Sequence, residues 1–323
     1  MAVYNGAAYV CRAIESVLGQ TFADFELVLV EDGSTDETPW LLRQYDDRRI
    51  VLVENDRNVG LTKSLNRGID ASHGEFIARQ DADDFSFPNR LACQVAFLDS
   101  HPTVGLVGSA ALWVDAREHV LREWYPPTDP AVIQQMLLFA IPFRHGTFMF
   151  RRTCLQELDG GYYNEAFPVA QDCDLLLRVS EHWDVTNVPE MLYAYRWHQQ
   201  TITASRETAQ FQYLHAAQQQ AIARRLLYGW RRLSPRRKGL PKWVVNASRR
   251  WMAQRYAWWS AGARQASRNV AFQFLLVALL LDPTTPEIWS YVTGILARKT
   301  GLAKLRTASR DQQPSGQSEL LSK

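Results

Sequence analysis

Between Thr208 and Leu281 the chain has no aspartate and no glutamate, yet thirteen lysines and arginines fall there, Arg224 and Arg225 among them. A segment of one sign cannot balance itself through internal ion pairs, so its charges look outward to an anionic surface or to the rest of the chain. Cysteine is scarce too. Cys11, Cys93, Cys154 and Cys173 have neither paired nor metal-ligand spacing, which argues against a disulfide framework and a zinc module and suits a reducing compartment. No apolar run reaches the roughly 20 residues of a membrane span, since Val270–Leu281 has only 12. The N-terminus lacks the charged-then-apolar pattern of a signal peptide, and the expectation is a protein that stays in the compartment where it is made. A P-loop, a nucleotidyltransferase glycine-arginine loop, a serine nucleophile elbow and a dinucleotide fingerprint are all missing.

What is present is enough apolar residue, 46% of 323, to bury one large domain and a smaller appendage. Residues 1–207 hold 30 acidic and 17 basic side chains, and the sign reverses afterwards, so a boundary is expected near residue 207. The division reads as a catalytic α/β domain over 1–207, a basic, tryptophan-rich helical region over 208–308 and a polar, disordered tail over 309–323.

The first 115 residues alternate short β-rich runs with helical periods, the pattern of an α/β domain with a mostly parallel sheet. Strands are expected at Phe25–Val30, Ile50–Val53 and Glu75–Ala78. Helical stripes run through Tyr9, Ala13, Ile14, Val17 and Leu18, through Leu61, Leu65 and Ile69, and through Leu91, Val95 and Leu98, with Pro88 placed for a first helical turn. Polar clusters at 33–36, 55–60 and 81–84 follow strand carboxyl ends, the edge where open α/β sheets bind ligands. Met1–Tyr4 is too short for the strand that should precede the helix near Gly6. Dropping a central parallel strand would leave its neighbours' backbone groups unpaired, so the expectation is a natural start some ten residues upstream.

Asp81-Ala82-Asp83-Asp84 follows a strand directly. Carboxylates one residue apart can jointly face magnesium or manganese, whose remaining positions a diphosphate completes. An acidic turn capping the next helix is the competing reading. Asp32, at the end of a buried strand, can accept a hydrogen bond from a base or ribose, while Asp36 suits a helix N-cap.

The stretches Val3-Tyr4-Asn5-Gly6, "SVLGQTFADFELVLVEDGSTDET", "NVGLTKSLNRGIDASHGEFIARQDADDFSFPNRL", "QDCDLLLRV" and "YRWHQQTIT" appear in order over residues 1 to about 203. Together they resemble the family-2 inverting glycosyltransferases of the GT-A fold, a Rossmann-like mixed sheet here carrying a helical C-terminal appendage. The resemblance implies transfer of a sugar from a nucleotide-diphosphate donor, UDP- or dTDP-linked, to an acceptor hydroxyl with inversion. The acceptor would be a saccharide or a lipid-linked saccharide of envelope polysaccharide synthesis.

By position, Asp172 resembles the catalytic base. Val3, Tyr4, Asn5, Asp32, Lys63, Asp81, Ala82 and His145 fall on the nucleotide-sugar site, with Arg144-His145-Gly146-Thr147 resembling a segment that lines the sugar pocket. Asp83 and Asp81 resemble the metal-binding DXD motif, and His198 resembles a late histidine that approaches the diphosphate or metal; a histidine satisfied by backbone bonds is the alternative there. Mg2+ or Mn2+ is the implied cofactor. Two departures stand out: Ala2 replaces the family's proline, and Gln171 replaces a glutamate beside the base. A non-catalytic nucleotide-sugar or saccharide binding protein of the same fold is the rival reading.

The basic region interleaves its arginines with Trp230, Trp243, Trp251, Trp258 and Trp259. That fits peripheral attachment to an anionic membrane from the cytoplasmic side. A helical hairpin packed on the catalytic domain is the alternative, with a partial tetratricopeptide pattern at Ala271, Leu275, Ala278 and Pro283. No nucleic-acid module is recognisable.

Overall fold

The computed structural model describes residues 1–137, 140–198 and 207–228. These belong to one compact unit, Met1–Gly239. The first sheet is three parallel strands in the order β1 (Ala2–Val3), β2 (Leu27–Glu31), β3 (Ile50–Glu54). All five residues of β2 are buried, as expected of a strand covered on both faces. Helix α1 (Val10–Leu18) presents Val10, Ile14 and Val17 to the cluster around Leu27 and Leu29. Each such side chain contributes roughly 1.5–3 kcal/mol when fully buried. Helix α2 (Thr38–Leu42) follows β2, and α3 (Leu61–Asp70) follows β3. The expected Phe25–Val30 strand begins two residues late and ends one residue on, at Glu31.

The short β1 pairs only with the end of β2, Ala2 opposite Val30 and Val3 opposite Glu31, and Ala2 also bridges Asp81. A cavity of about 770 Å³ adjoins it, lined by Ala2, Leu27, Val28, Leu65, Ile69 and Phe76.

The second sheet is mixed, so the expectation of a mostly parallel arrangement holds only for β1–β3. Its order is β4 (Phe76–Ala78), β8 (Met149–Arg151), β6 (Val104–Val114), β9 (Asp184–Arg196), β5 (Phe85–Ser86), with β7 (Val120–Trp124) paired to β6. Of these neighbours only β6 and β9 run parallel. Helix α4 (Arg90–Ser100) covers the sheet through Leu98. It starts two residues after Pro88, which lies in the entering turn and not in the first helical turn.

The register fixes which side chains share a face. Ala111 stands opposite Tyr193 of β9 and Trp124 of β7, and Trp113 opposite Tyr195 and Arg122. Because alternate residues point the same way, Tyr193, Tyr195, Trp113, Arg122 and Trp124 line one face.

Helices α5 (Pro130–Met136), α6 (Arg152–Gln156), α7 (Gln171–His182) and α8 (Glu207–Tyr228) complete the described elements. On α8, Arg224 and Arg225 both pair with Glu181 of α7, whose side chain is 3% exposed. For these two arginines the alternative of packing on the catalytic domain holds, since a buried carboxylate pairs with both. The remaining tryptophan-rich segment and the tail lie outside the described residues, and no helix among the described residues is long and apolar enough to cross a membrane.

Candidate active site

The acidic loop follows β4 and is held from three sides. Gln80, buried ahead of it, donates through Nε2 to the carbonyls of Asp81 (3.0 Å) and Asp84 (3.2 Å), while its Oε1 accepts from Ser86 Oγ and Arg90. From β9, the Tyr193 hydroxyl accepts the Asp81 N–H and donates to Asp84 Oδ2 at 2.9 Å, and the Arg196 N–H donates to Asp84 Oδ1 at 2.7 Å. Arg196 Nε also donates to the Asp83 carbonyl, with its far end on Glu118. Burial, reinforced by the charges of Asp83 and Asp81, pushes the Asp84 carboxyl well above the usual carboxylate range despite these donors.

Within this frame the two DXD carboxylates differ. Asp81 is engaged by the buried guanidinium of Arg79. Asp83 lies 3.1 Å from His198 Nε2, with side-chain exposures of 36% and 14%. The His198 ring also lies against Tyr9, 5.2 Å between centroids. Ala82, between the two aspartates, packs on the cluster that contains Val3 and Val10.

The β1–α1 loop builds the adjoining wall. Val3 is buried and its carbonyl accepts the Asp32 N–H at 2.9 Å, while Tyr4 is exposed. Asn5 takes the left-handed conformation (φ 51°), which asparagine tolerates better than most residues. Its N–H donates to Ser34 Oγ and its Oδ1 accepts from Thr35 N. The N-cap position of α2 is Glu37 and not Asp36 as expected; Asp36, one residue earlier, accepts from both Ala7 N and Thr38 N and so clamps this loop to the start of the helix. Asp32 is 3% exposed, and both its oxygens are in use. Oδ1 accepts from Asn55 Nδ2 (2.7 Å) and Val59 N, and Oδ2 from Gly60 N. The Asn55–Gly60 loop is thus folded around Asp32. Gly33 (φ 69°) packs so closely on Arg57 that a Cβ would collide with that backbone. Lys63, exposed on α3, pairs loosely with Glu165 at 3.8 Å.

The third wall carries Asp172 in the first turn of α7, where the helix dipole favours a carboxylate. The chain enters that helix through Ala170 in the left-handed region (φ 55°), a conformation costing a non-glycine residue about 1–3 kcal/mol. His145 opens the short turn His145–Thr147 and its Nε2 lies 2.7 Å from the Tyr163 hydroxyl. Burial, then the Arg79 charge, lower the His145 pKa to about 4, with Asp172 and Asp81 pulling the other way. One neutral imidazole therefore feels both the acidic loop and the helix that bears Asp172. Gly146 is required here because a Cβ would strike the Tyr193 hydroxyl.

Residues 1–158 match Glycosyl transferase family 2. EpsE of Bacillus subtilis is 36% identical over 203 residues, 61% of this chain and 71% of that protein. The chain belongs to glycosyltransferase family 2. The amylovoran biosynthesis glycosyltransferase AmsE of Erwinia amylovora is 31% identical over 190 residues, covering 57% of this chain and 69% of AmsE. TarS of S. aureus, residues 1–349 crystallised with UDP-GlcNAc, superposes with a TM-score of 0.59 over 93% of this chain and 90% of that one at 15% identity. The architecture is the GT-A fold.

This glycosyltransferase fits a divalent cation in one specific way. Among the described residues no three His, Cys, Asp or Glu side chains converge to make a complete cage. Magnesium rarely uses one, since one or two carboxylates are normally completed by substrate phosphates and water. Asp83 beside His198 would be such a partial set, with Asp81, paired to Arg79, shaping the loop around it.

Sequence reasoning missed Arg79, Gln80, Tyr163, Tyr193 and Arg196. Arg79-Gln80 lies between strand β4 and the acidic run, which was the one local signal. The others reach the site across long sequence separations, 109 residues for Tyr193 to Asp84.

Proposed function

We propose that this glycosyltransferase transfers a sugar from a nucleoside-diphosphate donor, UDP- or dTDP-linked, to an acceptor hydroxyl with inversion and with the help of Mg2+ or Mn2+. The observation that carries the reading is Asp83 beside His198 on the loop after β4, with Asp172 in the first turn of α7. A cation held at Asp83, with His198 beside it, supplies positive charge to the donor diphosphate.

In this reading Asp172 accepts the acceptor hydroxyl's proton as the oxygen bonds to the anomeric carbon. The carbon–oxygen bond to the diphosphate breaks on the opposite side and its electron pair leaves with the nucleoside diphosphate. His145 stays neutral and, held by Tyr163, neither takes that proton nor competes for the donor charge. Val3, Asn5 and Asp32 shape the nucleotide wall. AmsE, named for amylovoran biosynthesis, supports a saccharide or lipid-linked acceptor in polysaccharide synthesis.

The test is a panel of nucleotide sugars with released nucleoside diphosphate as readout. Metal-dependent release from at least one donor supports the reading. Donor binding without release on any acceptor favours a binding protein, and neither binding nor release sinks both.

We also propose a cytoplasmic location with peripheral attachment to an anionic membrane through the basic segment after residue 228. Co-sedimentation of the full chain with anionic vesicles at low salt, and none with neutral vesicles, is the expected outcome. Absence from both pellets removes the proposal.

A further inference from the structure

Arg144 stands directly ahead of the His145–Thr147 turn and is half-buried. Among the described residues no carbonyl, hydroxyl or carboxylate accepts from it, and its Nε is fully enclosed without a partner. Its surroundings are aromatic instead. The guanidinium carbon lies 4.7 Å from the Trp113 ring centre, 5.2 Å from Trp124 and 5.9 Å from Tyr195. Cation–π contacts offset part of the desolvation, but they leave the N–H edge without an acceptor. Its two terminal nitrogens are not enclosed and donate to no protein acceptor among the described residues, so they are placed to meet an acceptor that arrives from outside the chain.

The position of the group says where that partner arrives. Trp113, Trp124 and Tyr195 lie on the sheet face that also carries Tyr193, the residue beneath the acidic loop. Burial lowers the Arg144 pKa, with Tyr195 and Asp172 opposing and Arg122 assisting. Asp172 is therefore near enough to be felt, yet no ion pair joins it to Arg144. Arg122 lies 3.7 Å over the Trp113 ring. Two guanidiniums thus mark this face in a part of the chain where acids outnumber bases 30 to 17.

We propose that Arg144, with Trp113 and Trp124, forms an acceptor subsite for a saccharide that carries an oxyanion. The rings, already covered by Arg122 and Arg144, hold the Arg144 guanidinium in place, and its fork matches a carboxylate or phosphate through paired hydrogen bonds. The oxyanion has two chemical sources, the carboxylate of an acidic sugar or the phosphate of a lipid carrier. This subsite rests on the reading of Asp172 as the acceptor-side base.

The experiment is calorimetric titration of the full chain, at fixed ionic strength and without donor, with three probes. Cellobiouronic acid carries the carboxylate, cellobiose is its neutral counterpart, and dodecyl phosphate represents the carrier. At least one anionic probe should bind ten-fold or more tighter than cellobiose. Arg144→Gln should abolish that gap, while Arg144→Lys keeps part of it; whichever anionic probe leads names the source. Equal binding of anionic and neutral probes by the native chain overturns the proposal, as does a gap that survives in Arg144→Gln. That first comparison needs no variant, so misfolding of the variants cannot mask it. Donor turnover is measured separately, so loss of the glycosyltransferase mechanism with the anionic preference intact is told apart from loss of the subsite.

Discussion

The Tyr193 hydroxyl donates to Asp84 Oδ2 at 2.9 Å and accepts the Asp81 N–H at 3.2 Å, tying both ends of the acidic loop to strand β9. Tyr193→Phe removes both bonds and leaves a buried carboxyl short of a donor. Unsatisfied buried groups cost about 1–3 kcal/mol, so urea unfolding should show a loss of that size. A stability change within a few tenths of a kcal/mol would mean that the loop is held by other contacts.

His145 links stability to pH. Its pKa is about 4 in the folded chain against an ordinary 6.5, so above pH 6.5 it is neutral in both states and its packing is fully stabilising. As pH falls from 6.5 towards 4 only the unfolded chain takes up the proton, and up to roughly 3 kcal/mol of stability is lost across that window. In His145→Asn the unfolding free energy should fall less steeply over the same range. Parallel curves for the two proteins would place the imidazole in water.

Glu181 anchors α8 to α7 through Arg224 and Arg225. Breaking a buried ion pair from one side costs about 3–5 kcal/mol because the remaining charges stay desolvated. Glu181→Gln should therefore destabilise the chain by about that amount in chemical denaturation. An unchanged midpoint would return the two arginines to the surface.

Much of the fold is visible in the chain because burial writes a local pattern. Phe25–Val30 reads as a covered strand, Tyr9 to Leu18 as a helix with one apolar stripe, and the acidic run follows its strand as ligand loops do. The site is less legible because its supports are not local. Tyr193 and Arg196 meet Asp84 only through the register of β9, and nothing near residues 193–196 advertises a carboxylate partner. The sequence suggests Asp32 as a ligand contact, whereas its use in folding the Asn55–Gly60 loop depends on backbone N–H groups that no side-chain pattern encodes. In the basic segment a count of charges left lipid contact and packing both open, because nothing local marks Glu181 as the partner of Arg224 and Arg225.

The metal assignment separates two neighbouring aspartates. Asp83 lies beside His198 whereas Asp81 is engaged by Arg79, so Asp83→Ala should abolish metal-dependent turnover and raising Mg2+ or Mn2+ should not restore it. Asp81→Asn should act mainly on the loop, lowering stability as well as activity. Full activity of Asp83→Ala in the presence of a chelator would refute the assignment.

The most direct measurement is the turnover of Asp172→Asn with a donor that the native enzyme uses, read as released nucleoside diphosphate beside donor affinity by calorimetry. General-base catalysis contributes about 10²–10⁴-fold, so turnover should fall by 100-fold or more while the donor dissociation constant stays within about three-fold. Near-native turnover in that variant, with donor binding intact, would contradict the role of Asp172 and with it the mechanism built on α7.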